Sequence, residues 1–239
     1  MPEARKKRLA VVAALNREVR PLVKDWHVVT REHDGRRFRF YEQGDVVLVC
    51  GGIGAMPARR AAEAVIALFT PEIVYSVGFA GALDPQLKVG TVIRPQRVIN
   101  AGDGSSVSLN DGEGVLVSFA SVASPDQKRK LRDSFAARAV DMEAAAVLRA
   151  AEAHRLGFGA IKAISDEFDF DFPDTDRFVD SEGRFSEATF ALFAAFRPWL
   201  WGRVWCLARN SNRATESLCS YLTRLCPGET TSPGATSRP

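Results

Sequence analysis

Short apolar runs recur along the chain, each closed by glycine, proline or polar residues, and between them lie longer stretches whose apolar positions repeat at helical spacing. Residues 9–15 (LAVVAAL) carry no charge, so they read as a strand buried on both faces. NREVRPLV follows as a short helix that places Glu18 one turn beyond the strand end. Residues 27–30 and 36–41 read as the two arms of a hairpin around HDGR with a charged outer face, and 46–49 as another buried strand. That strand runs into CGGIGAMPARRAAEAVIALF, where glycines 51, 52 and 54 permit a tight turn and Pro57 opens a helix to about Phe69.

The same alternation continues downstream. Residues 73–77 are a buried strand ending in GFAGAL, and 91–93 with 96–99 form a bent strand broken by Pro95. The stretch 101–114 is polar and glycine-rich, which predicts a surface loop. Strands follow at 114–118, 138–140 and 160–165, with helices at 126–135 and 143–156; the second helix is rich in Ala and Leu and is expected to stop at Gly157 and Gly159. EFDFDFPDTDRF then reads as an acidic and aromatic surface loop, followed by a helix over 181–197. Leu218, Leu222 and Leu225 mark a last amphipathic helix, and residues 227–239 have the composition of a disordered tail.

Strand and helix alternate throughout, so the fold class is α/β, and 239 residues suit one domain with a sizeable core. The expected organisation is a body over residues 1–200, a helical extension over 201–226 and the tail. A net charge of +3 without interleaved basic and aromatic runs argues against nucleic acid as a partner. No apolar run reaches 18 residues, no cleavable apolar stretch opens the chain and the four cysteines form no CxxC. The expectation is therefore a cytoplasmic protein off the membrane, without disulfides or a bound metal. The acidic segment lacks the ordered oxygen positions of a calcium loop.

Candidate chemistry comes from acids at strand ends. Glu143 opens a helix directly after one predicted strand and Asp166 closes another, so both would reach the carboxyl edge of a parallel sheet, where α/β proteins bind ligands. Glu18 adds a third acid after the first strand. Three carboxyls in different surroundings can divide the work of base, acid and hydroxyl recognition. Gly52 and Gly54 offer backbone N–H groups to an oxygen-rich or anionic ligand, but GGIG is neither GxGxxG nor a P-loop.

The set AALNREV, GGIG, VYSVGFAGAL with LKVG, VDMEAAA and IKAISD, in this order over residues 9–197, resembles the nucleoside phosphorylase and nucleosidase superfamily. Within it the chain is most similar to the 5′-methylthioadenosine and S-adenosylhomocysteine nucleosidases. The resemblance implies a three-layer αβα sandwich with a mixed, partly curled sheet, assembled as a homodimer. It implies that Glu18 activates the attacking water, Glu143 binds the ribose hydroxyls, Met142 packs beside the ribose, and Asp166, preceded by Ser165, protonates the purine at N7. A purine nucleoside would be cleaved with no cofactor.

The chain departs from that pattern at several places. Phe79 stands in GFAG where the family has Ser, Val122 stands where the nucleosidases stack a Phe on the base, and Phe119 is a candidate substitute for that ring. The loop after Ile99 is short. A phosphorylase using orthophosphate is the alternative, with Arg59, Arg60 and Arg94 as its candidate cations, and a catalytically silent nucleoside binder is a third reading.

Overall fold

The computed structural model describes residues 7–171, 183 and 201–225. Apart from Gly183, the predicted helix over 181–197 lies outside the described residues, as do the later part of the acidic and aromatic segment and the C-terminal tail. Eleven strands form one mixed sheet with the spatial order β2-β3-β4-β1-β5-β10-β9-β7-β8, and β11 pairs with both β5 and β6. The first of these, β1 (Leu9–Ala13), lies parallel between β4 (Val46–Cys50) and β5 (Ile73–Ala82), as its uncharged sequence requires. On the outer side β2 (His27–His33) and β3 (Arg36–Gln43) form the predicted hairpin, turning at Asp34 and Gly35, both at positive φ.

Side chains of β1 alternate between two layers. Ala10 and Val12 pack with Val49, Ala61, Val65 and Val147, under α2 (Ala55–Phe69) and α4 (Ala144–Ala153). Val11 and Ala13 face the other way, onto Val19 and Val23 of α1 (Asn16–Val23) and Leu218 and Leu222 of α5 (Trp201–Leu225). Helices on both faces of the sheet make the three-layer sandwich. None of the helices of the described residues is long and apolar enough to cross a membrane.

The remaining elements complete one end of the sheet: β6 (Val92–Ile93), β7 (Arg97–Asn100), β8 (Ser106–Ser108), β9 (Val115–Ser118), α3 (Pro125–Phe135), β10 (Ala139–Asp141) and β11 (Gly157–Asp166). Two expectations need correction. The stretch 101–114 is not all loop, because Ser106–Ser108 adds an antiparallel edge strand to β7. Gly157 and Gly159 do not cap α4; the helix turns off at Arg155, which takes positive φ, and both glycines belong to β11. They are small because β5 is close: a Cβ at Gly159 would lie 2.4 Å from the Tyr75 ring, and one at Gly157 would lie 3.2 Å from Ile73.

Partner exchange along β5 opens the sheet. β1 pairs with Ile73 to Val77 in parallel, whereas β10 pairs antiparallel with Gly81 and Ala82 on the far part of the strand. β11 follows β5 almost end to end on its other edge. The ends of β1 and β10 therefore face each other across residues 78–80, at Gly78, which has φ +149°. This arrangement differs from the expected common carboxyl edge, since β10 arrives from the opposite direction.

Gly159→Ala is expected to cost about 1–3 kcal/mol, because the new methyl meets a ring held in a packed sheet. Urea denaturation of Gly159→Ala, Tyr75→Leu and the double variant measures it; losses that simply add would show that the two positions do not press on each other.

Candidate active site

Two glycines of β5 are shaped by the acids beside them. A Cβ on Gly78 would lie 2.9 Å from Glu18 Oε2, and one on Gly81 would lie 2.7 Å from Asp166 Oδ2. VGFAG thus forms a floor over which α1 and β11 each lay a carboxylate. Two residues separate the end of β1 from α1, which brings Glu18 in its first turn, where Oε2 accepts from the Leu15 N–H at 3.2 Å. β11 ends with a register shift between Ile164 and Asp166 that leaves Asp166 opposite Gly81. Glu143 comes from the third direction as the residue before α4.

These side chains border one cavity of about 160 Å³, together with Phe79, Val122, Met142, Ser165 and Lys128. Of the residues expected from sequence, Glu18, Phe79, Val122, Met142, Glu143, Ser165 and Asp166 all meet there. Gly52, Gly54 and Phe119 are not among the residues that line it. The turn's N–H groups are occupied: Gly51 donates to Ala13, Gly52 to Ala14, Ile53 to Gly183, and Gly54 to Glu143 Oε1 at 2.8 Å. Gly54 therefore orients the ribose-binding candidate, and the turn does not offer free donors to an anion. Phe119 packs at the edge of a separate apolar cluster with Val117, Ala123 and Leu131, a core position and not one over the cavity.

The candidate cations for phosphate do not converge. Arg59 pairs with Glu63 and Arg94 with Asp111, while Arg60 lines a neighbouring groove beside Arg36 and Pro57. Arg17 is the arginine that borders the cavity. The Cys50 thiol is pushed up to about 12 by burial and by Glu18, which disfavours the thiolate.

Sequence reasoning missed a set of polar partners beneath the site. Lys162, 1% exposed, donates to Asp141 Oδ2 at 2.9 Å and to Ser76 Oγ at 3.1 Å. Asp141 also accepts from Ser118 Oγ at 2.6 Å and from the Ala144 N–H at 2.9 Å, which fixes the start of α4 and so the place of Glu143. A lysine inside the apolar run AIKAIS was the available signal. Lys128, in the charged run QKRK of a short helix, gave none, yet it is 1% exposed and its Nζ lies 2.5 Å from Asp166 Oδ2 and 2.6 Å from the Glu167 carbonyl oxygen. Ser165 Oγ donates to Asp166 Oδ1 at 2.8 Å.

Burial separates the acids. Glu18 is raised from 4.5 to about 7, first by desolvation and then by the charge of Glu143. Glu143 is also raised by burial, but Lys162 and the N–H groups of Gly54 and Met142 oppose the shift. Lys162 itself is held above the usual lysine value because Asp141, Glu143 and Glu18 outweigh its desolvation. Because the folded value of Glu18 lies above its unfolded one, its burial is tolerated fully below pH 4.5 and destabilises progressively as pH rises through about 7. Glu18→Gln should therefore gain stability over the parent at pH 8 relative to pH 5, by up to about 3 kcal/mol, in paired denaturation curves. An unchanged difference between the two pH values would mean that Glu18 is not desolvated in the fold.

Comparison with known proteins agrees with this architecture. The chain is 32% identical over 96 residues to a 5′-methylthioadenosine/S-adenosylhomocysteine nucleosidase of Marinomonas sp. (strain MWYL1), a match that covers 38% of this chain and 41% of that one. A nucleosidase of the same name from Staphylococcus epidermidis (strain ATCC 12228 / FDA PCI 1200) is 25% identical over 199 residues, 66% of this chain and 86% of the relative. The fold matches the crystal structure of the Helicobacter pylori 5′-methylthioadenosine/S-adenosylhomocysteine nucleosidase with butyl-thio-DADMe-Immucillin-A at a TM-score of 0.64 and 18% identity, over 92% of this chain and 99% of that one. Residues 8–126 and 112–197 match the Phosphorylase superfamily, and with most of its length so matched the chain belongs to that family.

Proposed function

We propose that this protein hydrolyses the N-glycosidic bond of a purine nucleoside, a 5′-substituted adenosine such as methylthioadenosine or S-adenosylhomocysteine, to free base and a ribose derivative. The observation that carries this reading is the meeting of Glu18, Glu143 and Asp166 around one cavity, each from a different element and each less than a tenth exposed. The similarity to nucleosidases of that substrate class supports it.

In this mechanism the sugar lies over Met142 with its hydroxyls on Glu143, whose carboxylate is already aimed by the Gly54 N–H. Asp166 faces the base. As the bond from the anomeric carbon to the base lengthens, its electron pair moves into the purine and positive charge builds on the sugar ring. A proton delivered at N7 makes the base a neutral leaving group. Water held by Glu18 adds to the anomeric carbon and gives its proton to that carboxylate, whose value near 7 suits a base at neutral pH. Buried carboxylates around the sugar favour the cationic transition state over the neutral ground state.

Hydrolysis is preferred to phosphorolysis in this reading because Arg59, Arg60 and Arg94 stand away from the cavity, leaving Arg17 beside a base well suited to water. The reading keeps the homodimer and uses no cofactor. Phe79, partly buried on the floor strand, replaces a small polar residue next to the substrate, so the base and sugar walls are more apolar than in the resembled pattern.

Purified chain incubated with 5′-substituted purine nucleosides should release base and free sugar without phosphate. A sugar 1-phosphate formed only with phosphate would replace the hydrolase by a phosphorylase, and binding without base release would leave a silent binder. Asp166→Asn should lower kcat about 10²- to 10⁴-fold while nucleoside binding remains measurable. In the parent, kcat/KM should rise with pH toward about 7, as Glu18 loses its proton, and then level off on the basic side of that value. Glu18→Gln should abolish that rise; a variant that keeps the parent profile would remove Glu18 as the base.

A further inference from the structure

The carboxylate assigned to the leaving base is already bonded on both oxygens. Ser165 Oγ donates to Oδ1 at 2.8 Å, and the Lys128 ammonium donates to Oδ2 at 2.5 Å. Lys128 reaches it from α3, whose start is fixed by Ser124: its hydroxyl accepts from the Gln127 N–H, Gln127 Oε1 accepts from the Ser124 N–H, and Pro125 occupies the first turn. One turn in, Lys128 and Leu131 point to the protein while their neighbours on the helix are more exposed. Both Lys128 and Asp166 border the cavity. An anchoring lysine is satisfied by a carbonyl; this one holds the Glu167 carbonyl oxygen at 2.6 Å and still places its ammonium on the acid at the site.

We propose that Lys128 acts through Asp166 as the proton source for the departing base. The proposal rests on the nucleosidase reading above. An ion pair of ammonium and carboxylate contains the same proton as a neutral pair of amine and carboxylic acid, and the direct hydrogen bond lets it pass between the two without water. As the bond between the anomeric carbon and the base breaks, its electrons collect on the purine. The ammonium proton of Lys128 moves onto Asp166, and the carboxylic acid so formed gives one proton to N7, which leaves a neutral base, a carboxylate and a neutral amine. Water meanwhile adds hydroxide to the sugar and a proton to Glu18. Release of that proton to solvent and uptake of one by Lys128 return the site to its starting state. A carboxylate paired with a cation is a poor acid alone; the pair removes the conflict.

The demand for this proton falls as the base becomes a better leaving group. Turnover is therefore compared for nucleosides with one sugar and three bases of rising leaving ability: 6-aminopurine, purine and 6-chloropurine. Lys128→Met should lose about 100-fold or more in kcat on the 6-aminopurine nucleoside, and the loss should shrink below tenfold on the 6-chloropurine nucleoside. Nucleoside binding, read by titration, should change only a few-fold. Asp166→Asn combined with Lys128→Met also tests the pathway and relieves the unpaired buried carboxylate; it should be no slower than Asp166→Asn alone. An equal loss on all three bases, a parental rate, or a further loss in the double variant would overturn the proposal and reduce Lys128 to an anchor of α3. A parent that releases base from none of the three would instead end the nucleosidase reading, and this inference with it.

Discussion

Six ionisable side chains, Glu18, Lys128, Asp141, Glu143, Lys162 and Asp166, lie within one region of the interior with no more than 8% of any of them exposed. Removing an ion from water costs several kcal/mol unless other charges and hydrogen bonds replace its hydration. Here the replacement is uneven. Asp141 has an ammonium, a hydroxyl and a backbone N–H around it, and Asp166 has an ammonium and a hydroxyl. Glu18 has one long backbone hydrogen bond, and the charges of Lys162 and Arg17 oppose its desolvation more weakly still. The uneven solvation divides labour among chemically similar groups, since the least compensated acid is the one whose proton exchanges near neutral pH.

The sheet makes that interior possible by changing partners along one strand. β5 is flanked by β1 before Gly78 and by β10 from Gly81, while β11 holds its other edge throughout. An unbroken parallel ladder would have filled the space with side chains of a neighbouring strand. Instead the glycines leave room for Glu18 and Asp166 over the backbone. Lys162, on β11, sits below and links the floor through Ser76 to Asp141 at the end of β10. Because Asp141 also accepts from the first turn of α4, the position of Glu143 is tied to the same ammonium. The sugar-binding candidate and the sheet are held as one unit.

Much of this was readable from residue order. Strands without charge could only be central, so β1, β4 and β5 and their helices followed from pattern alone, and the acids at Glu18, Glu143 and Asp166 were marked by standing at strand ends. Edges were harder. Ser106–Ser108 carries two serines around one valine, and its strand exists only because β7 has a free edge to pair with. The glycines after α4 looked like a helix stop but answer to Tyr75 and Ile73, residues more than eighty positions away. Phe119 and Val122 lie three residues apart, yet Val122 borders the cavity and Phe119 joins an apolar cluster.

Sequence by itself determined the α/β class, the buried strands and which carboxylates were free to leave them, because hydrophobic period and local turn chemistry act over a few residues. Tertiary structure alone decided which charges are buried and what neutralises them. Lys128 and Lys130 stand two residues apart in one charged helix, and only the packing of α3 puts the first against Asp166 and the second in water. Solvation depends on every element that closes around a group, so it is set by contacts distant in the chain and leaves no local mark in the order of residues.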